Sequence, residues 1–388
     1  MRKRVAIVDS HPIQYHAHWY RELARRPEFD FEVLYSHRAS PADQAKSGFG
    51  VEFEWDIPLL DGYRHRFLRN VAKRPGVTEF AGTDTPEIRD ILVRERFDAV
   101  VVSGWHTKSY WQTIRACWQT GTAVMSRSDS HLHTGRSMLK RALKWPLYRY
   151  FIPKLDGCLP VGTWSREYFL HYGAKPERVF VVPHCVPEPS RASAADKVAL
   201  RERWGIPAKA TVFLFAGKFI PRKQPRDFIQ AIAQAAKRNT AVHGLLAGDG
   251  PLRAEMETLA ATLRAPVSFT GFLNQTAMAD AYVAADVLAL PSSIETWGLV
   301  ANEAMACGLP CMLSDRVGCG PDLITRGETG FVFPSGDVDA MTDCIQEFAG
   351  TPGLAARMGA AAKKRMEAHS TQYAADRLCQ AIAAIIGN

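Results

Sequence analysis

Residues 291–308 read PSSIETWGLVANEAMACG and follow an apolar run that ends at Leu290. The pattern predicts a buried strand at 287–290 and a helix that begins near Trp297 and ends at Gly308. Backbone N–H groups at 297–299 would then form a helix N-terminus, which suits a phosphate. Glu295, just before the helix, and Glu303, two turns into it, would suit sugar hydroxyls. The alternative is that Glu295 is only a negative charge that the helix dipole favours at the N-terminus, and that Glu303 is a solvated surface residue.

Three loops upstream of this stretch also follow predicted strands, at 212–216, 242–247 and 267–270. The loops are GKFIPRK at 217–223, GDGP at 248–251 and GFL at 271–273. Glycines allow the backbone to approach a ligand closely, and Lys218 and Lys223 supply the positive charge that a departing diphosphate needs. Predicted helices at 226–237, 252–261 and 278–284 alternate with these strands, and a further strand is predicted at 311–314. The pattern indicates a doubly wound parallel sheet with its site at the carboxyl ends of the strands.

The first half of the chain predicts a second unit of the same α/β class. Strands are expected at 5–8, 31–35, 99–102 and 123–126, with helices at 15–26 and 86–96. Three prolines within residues 183–189 indicate a linker. We therefore expect domains at 1–185 and 186–370, with a last helix at 371–386 that packs back on the first domain, so that residues 371–388 belong to it.

Length and composition fit a soluble protein of two domains. The chain has 388 residues, of which 47% are hydrophobic and 23% charged; it has no uncharged apolar run long enough to span a membrane. The basic start, MRKRVAIVDS, predicts a first strand rather than a signal peptide. The eight cysteines are scattered without a CxxC pair, which favours reduced, buried thiols in a cytoplasmic protein over a metal site.

The net charge of +8 arises in the first half alone. Residues 1–185 hold 28 Lys and Arg against 20 Asp and Glu, whereas residues 186–388 hold 20 of each. Residues 64–74 and 136–154 contain no acid, and the second segment is also rich in leucine and aromatic residues. It predicts a basic amphipathic helix, interrupted at Pro146, that either contacts an anionic membrane at its inner face or packs by its aromatic side. Residues 64–74 add to that surface or recognise an anionic acceptor.

The four motifs together, in the order GKFIPRK, GDGP, GFL and E-x7-E, resemble the retaining family-4 glycosyltransferases across residues 210–330. The resemblance implies the GT-B fold, in which two Rossmann-like domains face each other across a cleft. It also implies that Lys218 and Lys223 hold the donor diphosphate, that Glu295 contacts the donor sugar and that Glu303 binds the ribose. The chain departs from the family by a lysine at 218 where arginine is common, by Gln224 in place of glycine and by Trp297 in place of phenylalanine. The full expected donor set is Gly217, Gly248, Gly250, Gly271, Phe272, Leu273, Thr296, Trp297, Gly298, Leu299 and Glu303.

The first domain resembles the family less closely. A subset of members is similar at the start, where this chain reads HPIQYH, and this makes His11 a candidate residue of the cleft. Members often place a histidine after the strand assigned here to 123–126, so that Asp129 or His131 would have the catalytic role. His106, after the neighbouring strand, is a third candidate.

The resemblance implies a retaining transfer from a nucleotide-diphosphate sugar to a glycan, a lipid-linked or a small-molecule acceptor. It implies neither a metal nor a cofactor, and it is typical of bacterial polysaccharide or lipopolysaccharide biosynthesis with UDP- or GDP-sugars. Two alternatives remain open at this point. One is a nucleotide-sugar epimerase on the same fold. The other is a non-enzymatic binder of nucleic acid, which the basic first half suggests but the absence of a known nucleic-acid motif disfavours.

Overall fold

A computed structural model describes residues 2–44, 51–135, 138–187, 197–238 and 241–387. It divides into two compact units: residues 1–43, 58–187 and 369–388 form the first, and residues 44–57 and 188–368 form the second. The break between Pro187 and Glu188 falls in the proline-rich segment, of which Glu188 and Pro189 lie outside the described residues, as does Arg136 in the basic segment.

The first unit contains a parallel sheet of six described strands. These are β1 (Lys3–Asp9), β2 (Phe29–Tyr35), β3 (His65–Phe67), β4 (Ala99–Val102), β5 (Ala123–Ser128) and β6 (Gly157–Pro160). The helices between them are α1 (Gln14–Ala24), α2 (Pro41–Gln44), α3 (Ile88–Glu95), α4 (Lys108–Thr120), α5 (Met138–Phe151) and α6 (Thr163–His171). The strand order β3-β2-β1-β4-β5-β6 reverses direction between β1 and β4, and ligands of such sheets bind at this reversal.

The second unit repeats this arrangement within its described residues. Its strands are β7 (Thr211–Ala216), β8 (Val242–Ala247), β9 (Val267–Gly271), β10 (Val287–Leu290), β11 (Cys311–Ser314) and β12 (Gly330–Phe333). Its helices are α7 (Lys197–Arg203), α8 (Pro225–Arg238), α9 (Arg253–Leu263), α10 (Met278–Ala284), α11 (Leu299–Ala306), α12 (Gly320–Leu323), α13 (Val338–Gly350) and α14 (Leu354–Arg365). The order β12-β11-β10-β7-β8-β9 reverses between β7 and β10. The predicted α/β class with two Rossmann-like domains is thus confirmed.

The final helix, α15 (Thr371–Ile386), belongs to the first unit. Alternating residues of β1 explain why helices cover both faces of this sheet. Val5 and Ile7 pack in one buried cluster with residues of α1 and α15, whereas Ala6 and Val8 pack in another with residues of α3 and α4. The prediction that the last helix returns to the first domain is therefore confirmed.

Two details of the sequence-based prediction were wrong. Residues 44–57 had been placed in the first domain, but they belong to the second unit, on which Phe53 and its neighbours pack. Pro146 does not interrupt the basic helix, because α5 continues through it. Ala142 and Pro146 are both exposed, so water can solvate the backbone carbonyl that proline leaves without an N–H partner.

All eight cysteines are unpaired thiols, and seven of them are buried. Within the described ranges, none of the helices combines the length and the apolar character needed to cross a bilayer.

Candidate active site

The four motifs of the second unit lie side by side along one edge of its sheet. Each follows the carboxyl end of its strand, in the spatial order β10, β7, β8 and β9. The loops are also joined directly, since Gly217 N–H donates to Ala247 O at 2.9 Å and Gly248 N–H donates to Gly271 O at 2.9 Å. The four motifs, which are separate in the sequence, thus form one continuous surface of loops.

Glycine is required where these loops meet. A Cβ at Gly248, whose φ is +143°, would lie 2.0 Å from the carbonyl oxygen of Gly217. A Cβ at Gly250, at φ +150°, would lie 2.8 Å from the carbonyl oxygen of Phe219. The GDGP turn therefore packs against the backbone of the lysine-bearing loop, which a side chain at either position would displace.

Lys223 and Glu295 form an ion pair at the reversal between β7 and β10. Their side chains are only 13% and 14% exposed. The two loops that carry them are also tied by the backbone, because Ser293 N–H donates to Arg222 O at 2.8 Å. An ammonium group has three donors, so Lys223 retains two for an anion while it holds the Glu295 carboxylate.

Lys218 lies in the same loop, near the positive charges of Arg222 and Lys223. Burial, together with these nearby charges, lowers the pKa of its ammonium to about 8, while Glu295 opposes the shift. An anion bound here would relieve this repulsion and favour the protonated form.

The helix α11 begins at Leu299, with Gly298 as its N-cap at φ +100°. A Cβ at Gly298 would lie 3.0 Å from Leu290 and 3.2 Å from Val317, so the position accepts only glycine without rearrangement. The side chain of Trp297 is buried and donates from Nε1 to Asn302 Oδ1 at 2.8 Å. The Trp297 side chain therefore belongs to the core. Thr296 is exposed beside it.

Glu303 is held in place by two side chains that the sequence analysis missed. Gln275 Nε2 donates to Glu303 Oε1 and Tyr282 OH donates to Oε2, each at 2.7 Å. Each carboxylate oxygen accepts more than one hydrogen bond, so these contacts orient Glu303 and leave it able to accept from a ribose. Gln275 belongs to no sequence motif. The available signal was its position in the loop that follows Gly271-Phe272-Leu273.

In the first unit, a buried carboxylate lies at the reversal between β1 and β4. Asp9 Oδ2 lies 2.6 Å from both His16 Nδ1 and Tyr20 OH, and Oδ1 accepts from Ser10 N–H at 2.8 Å and from Tyr110 OH at 3.3 Å. Burial alone would raise the pKa of Asp9, but the charge and hydrogen bond of His16 and the hydroxyl of Tyr20 hold it well below its usual range. An ionised carboxylate only accepts, so Nδ1 of His16 carries a hydrogen.

The predicted residues of the first unit are only partly brought together. His11 Nδ1 lies 2.9 Å from Ser10 Oγ, next to Asp9. Burial lowers the pKa of His11, although Asp9 opposes this. His106 packs its ring edge-on against Tyr110, 5.2 Å between centroids, and interacts electrostatically with Asp9 and Asp129.

His131 packs among other aromatic rings. It is only 2% exposed, its Nδ1 accepts from His133 N–H at 3.1 Å, and its ring packs against Trp164 at 5.0 Å. Asp9 and His16, which the sequence analysis did not propose, form the centre of this cluster. An acidic residue directly after the apolar residues Val5–Val8 was the available signal.

Comparison with known proteins decides the family. Residues 196–365 match the family described as Glycosyl transferases group 1, and residues 12–185 match the Glycosyl transferase 4-like domain. The chain belongs to the family-4 glycosyltransferases. The family resemblance proposed from the motifs is therefore confirmed, and the matches extend it to the first unit.

This family-4 glycosyltransferase is 36% identical over 212 residues to a D-inositol 3-phosphate glycosyltransferase of Streptomyces scabiei. That match covers 52% of this chain and 47% of the relative, so the alignment spans about half the length of the curated protein.

Two solved structures show the same fold over nearly their whole length. A glycosyltransferase from Rickettsia africae superimposes with a TM-score of 0.75 at 14% identity, covering 100% of this chain and 99% of the other. HepE from Anabaena, solved in complex with UDP and glucose, gives a TM-score of 0.72 at 16% identity, with 98% and 99% covered.

Proposed function

We propose that this protein is a retaining, metal-independent glycosyltransferase that binds a nucleotide-diphosphate sugar on its second unit and an acceptor on its first. The observation that carries the proposal is the Lys223–Glu295 ion pair, flanked by Lys218 and by the N-terminus of α11. Cations and backbone N–H groups suit a diphosphate, whereas a carboxylate held beside them suits sugar hydroxyls. UDP in the HepE structure supports this ligand class.

In this mechanism the bond between the sugar C1 and the diphosphate oxygen breaks, and a bond to the acceptor oxygen forms on the same face. The acceptor proton passes to the departing phosphate oxygen. Lys218 and Lys223 stabilise the charge that grows on the leaving group. Glu295 positions the sugar and makes no covalent bond. His11 and Asp129 would contact the acceptor from the first unit.

Two substitutions test the donor site. Glu303→Ala removes charge-assisted hydrogen bonds to the ribose, so donor KM should rise by about 10- to 100-fold. Lys223→Ala should lower kcat by about 100-fold or more, because its interaction strengthens as the leaving group departs. Glu257→Ala and Lys209→Ala, at exposed positions of the same unit, are matched controls. Near-normal kinetics for both site variants would contradict the assigned roles.

A thermal-shift screen with UDP-, GDP-, ADP- and dTDP-sugars identifies the donor, because a ligand of the folded state raises its stability. Incubation of the enzyme with that donor alone then separates transfer from epimerisation. Appearance of an epimeric nucleotide sugar without an added acceptor would favour the epimerase.

The acceptor class is a glycan, a lipid-linked or a small-molecule substrate, and α5 supports an acceptor at a membrane surface. One stripe of this helix is apolar and strongly exposed: Leu139 (70%), Leu143 (73%), Leu147 (48%) and Tyr150 (60%). Their spacing of four, four and three residues places them on one face. Tyr148 and Phe151 of the same helix are buried in the core of the unit.

Basic side chains flank this stripe. Lys144 and Arg149 are exposed on α5, and Lys154 Nζ lies 3.6 Å from the ring centroid of Tyr150 and 5.8 Å from that of Trp118 on α4. Neither α4 nor α5 contains an acidic residue. Exposed apolar and aromatic residues between cations suit the surface of an anionic phospholipid bilayer.

Co-sedimentation with vesicles tests this surface. The protein should bind vesicles of phosphatidylcholine mixed with phosphatidylglycerol more tightly than pure phosphatidylcholine, and Leu143→Ala should weaken binding by about tenfold. Leu263→Ala, at another exposed leucine, is the control. Equal binding by the Leu143 variant would exclude α5, and a dimer that Leu143→Ala dissociates would show that a second copy covers the stripe.

A further inference from the structure

Residues 51–57, VEFEWDI, belong to the second unit, although they come from the first half of the chain. The residues at 51, 53, 55 and 57 are half-buried, and those at 52, 54 and 56 are exposed. This period of two matches the alternation of apolar and acidic residues in the sequence. We call residues 51–57 the docked segment.

The docked segment is attached to the loop that follows β9. The ring of Phe53 lies 4.4 Å from that of Phe272, centroid to centroid. Asn274 Nδ2 donates to the backbone carbonyl of Glu54 at 2.7 Å. Thr276 N–H lies 3.2 Å from both carboxylate oxygens of Asp56, and its hydroxyl also donates to Asp56. Three residues of one short loop are therefore fixed by three successive contacts.

The same loop carries Gln275, which donates to Glu303. Gln275 lies between Asn274 and Thr276, whose contacts with the docked segment determine its backbone position. The docked segment therefore acts on both candidate nucleoside contacts, Phe272 for the base and Glu303 for the ribose. A base sandwiched between two rings needs them about 7 Å apart, so the Phe53–Phe272 distance excludes a base between them. Phe53 thus packs directly against the Phe272 ring.

We propose that the docked segment positions loop 272–276 and so determines affinity for the nucleoside part of the donor. Phe53 and Asp56 are then positioning residues. This inference rests on the proposed function, because it assumes that the second unit binds the nucleotide sugar.

The test compares three ligands by calorimetry on the full chain: the nucleoside diphosphate that binds tightest among UDP, GDP and ADP, its monophosphate, and inorganic pyrophosphate. Phe53→Ala and Asp56→Asn should each raise the Kd of both nucleotides by about five- to tenfold. Pyrophosphate, which uses the lysines and the N-terminus of α11, should keep its wild-type Kd. Glu54→Gln is the matched control, since it removes the same charge but leaves the backbone carbonyl that Asn274 contacts.

Two results would overturn the proposal while the proposed function stands: unchanged nucleotide affinity in both variants, or an equal loss for pyrophosphate, which would indicate general damage to the unit. Asp56→Asn changes an exposed position, so it still tests the proposal if the Phe53 variant does not fold. A wild-type protein that binds none of the nucleotides would instead refute the proposed function, and this inference with it.

Discussion

Lys218 should give the proposed donor site a pH dependence. Burial and the neighbouring charges lower the pKa of its ammonium to about 8. A diphosphate binds the protonated form. Its affinity should therefore be highest well below pH 8 and should fall as the pH rises through 8. If only this form binds, the Kd at pH 9 should be about tenfold higher than at pH 7, because each pH unit above the pKa removes a factor of ten from the protonated fraction.

Calorimetry of nucleoside diphosphate binding between pH 7 and 9.5 measures this slope. The second pKa of a phosphate is near 6, so the ligand itself stays ionised over the range. Lys218→Arg keeps its charge throughout, because a guanidinium does not titrate here, and its Kd should stay flat. At pH 8 binding should also take up about half a proton, visible as a dependence of the binding enthalpy on the buffer. The same slope in the Arg variant would refute the role of Lys218.

Three further predictions concern stability, measured by urea unfolding. Asp9→Asn should lower the free energy of unfolding by about 2–3 kcal/mol at pH 7. Because the folded pKa of Asp9 is depressed, this advantage of the wild type should be lost as the pH falls below about 4. A stability difference that does not change with pH would argue against an ionised Asp9. Gln224 has φ +51°, so Gln224→Gly should be more stable than Gln224→Ala by about 1 kcal/mol; the reverse order would contradict strain there. Gly248→Ala should cost about 3 kcal/mol through its overlap with Gly217, whereas Gly271→Ala, at φ +77° in open space, should cost about 1–2 kcal/mol.

Five of the six described strands of the second unit were predicted, because each of the five is a short apolar run followed by glycine or a polar turn, but β12 was missed. The bounds of β8, β10 and β11 agree with the predicted ones to the residue. Strands without such a run were missed. β3 is three residues long, with His65 and Arg66 in it, and β6 contains Gly157 and Pro160, which usually indicate turns.

The site residues that the sequence analysis missed depend on contacts between distant parts of the chain. Gln275 is 28 residues from Glu303 in the sequence, yet its side chain donates to Glu303 at 2.7 Å. Only this contact makes Gln275 part of the site. Asp9 and Tyr110 come together because β1 and β4 are neighbours across the reversal in strand order. Spacing within one motif cannot reveal such pairs. The alternation in residues 51–57 was visible, but no pattern indicated that the segment packs on the second unit.

The two units share one topology, but the charged groups at their strand reversals differ. In the second unit Lys218 and Lys223 lie there, with Glu295 paired to one of them, so the site attracts an anion. In the first unit the same position holds the buried carboxylate of Asp9, whose pKa lies well below its usual range. His16 Nδ1 donates to this carboxylate, and His11 Nδ1 lies 2.9 Å from the Ser10 hydroxyl. This difference supports the proposed division of roles, with the donor on the second unit and a hydroxyl-bearing acceptor on the first.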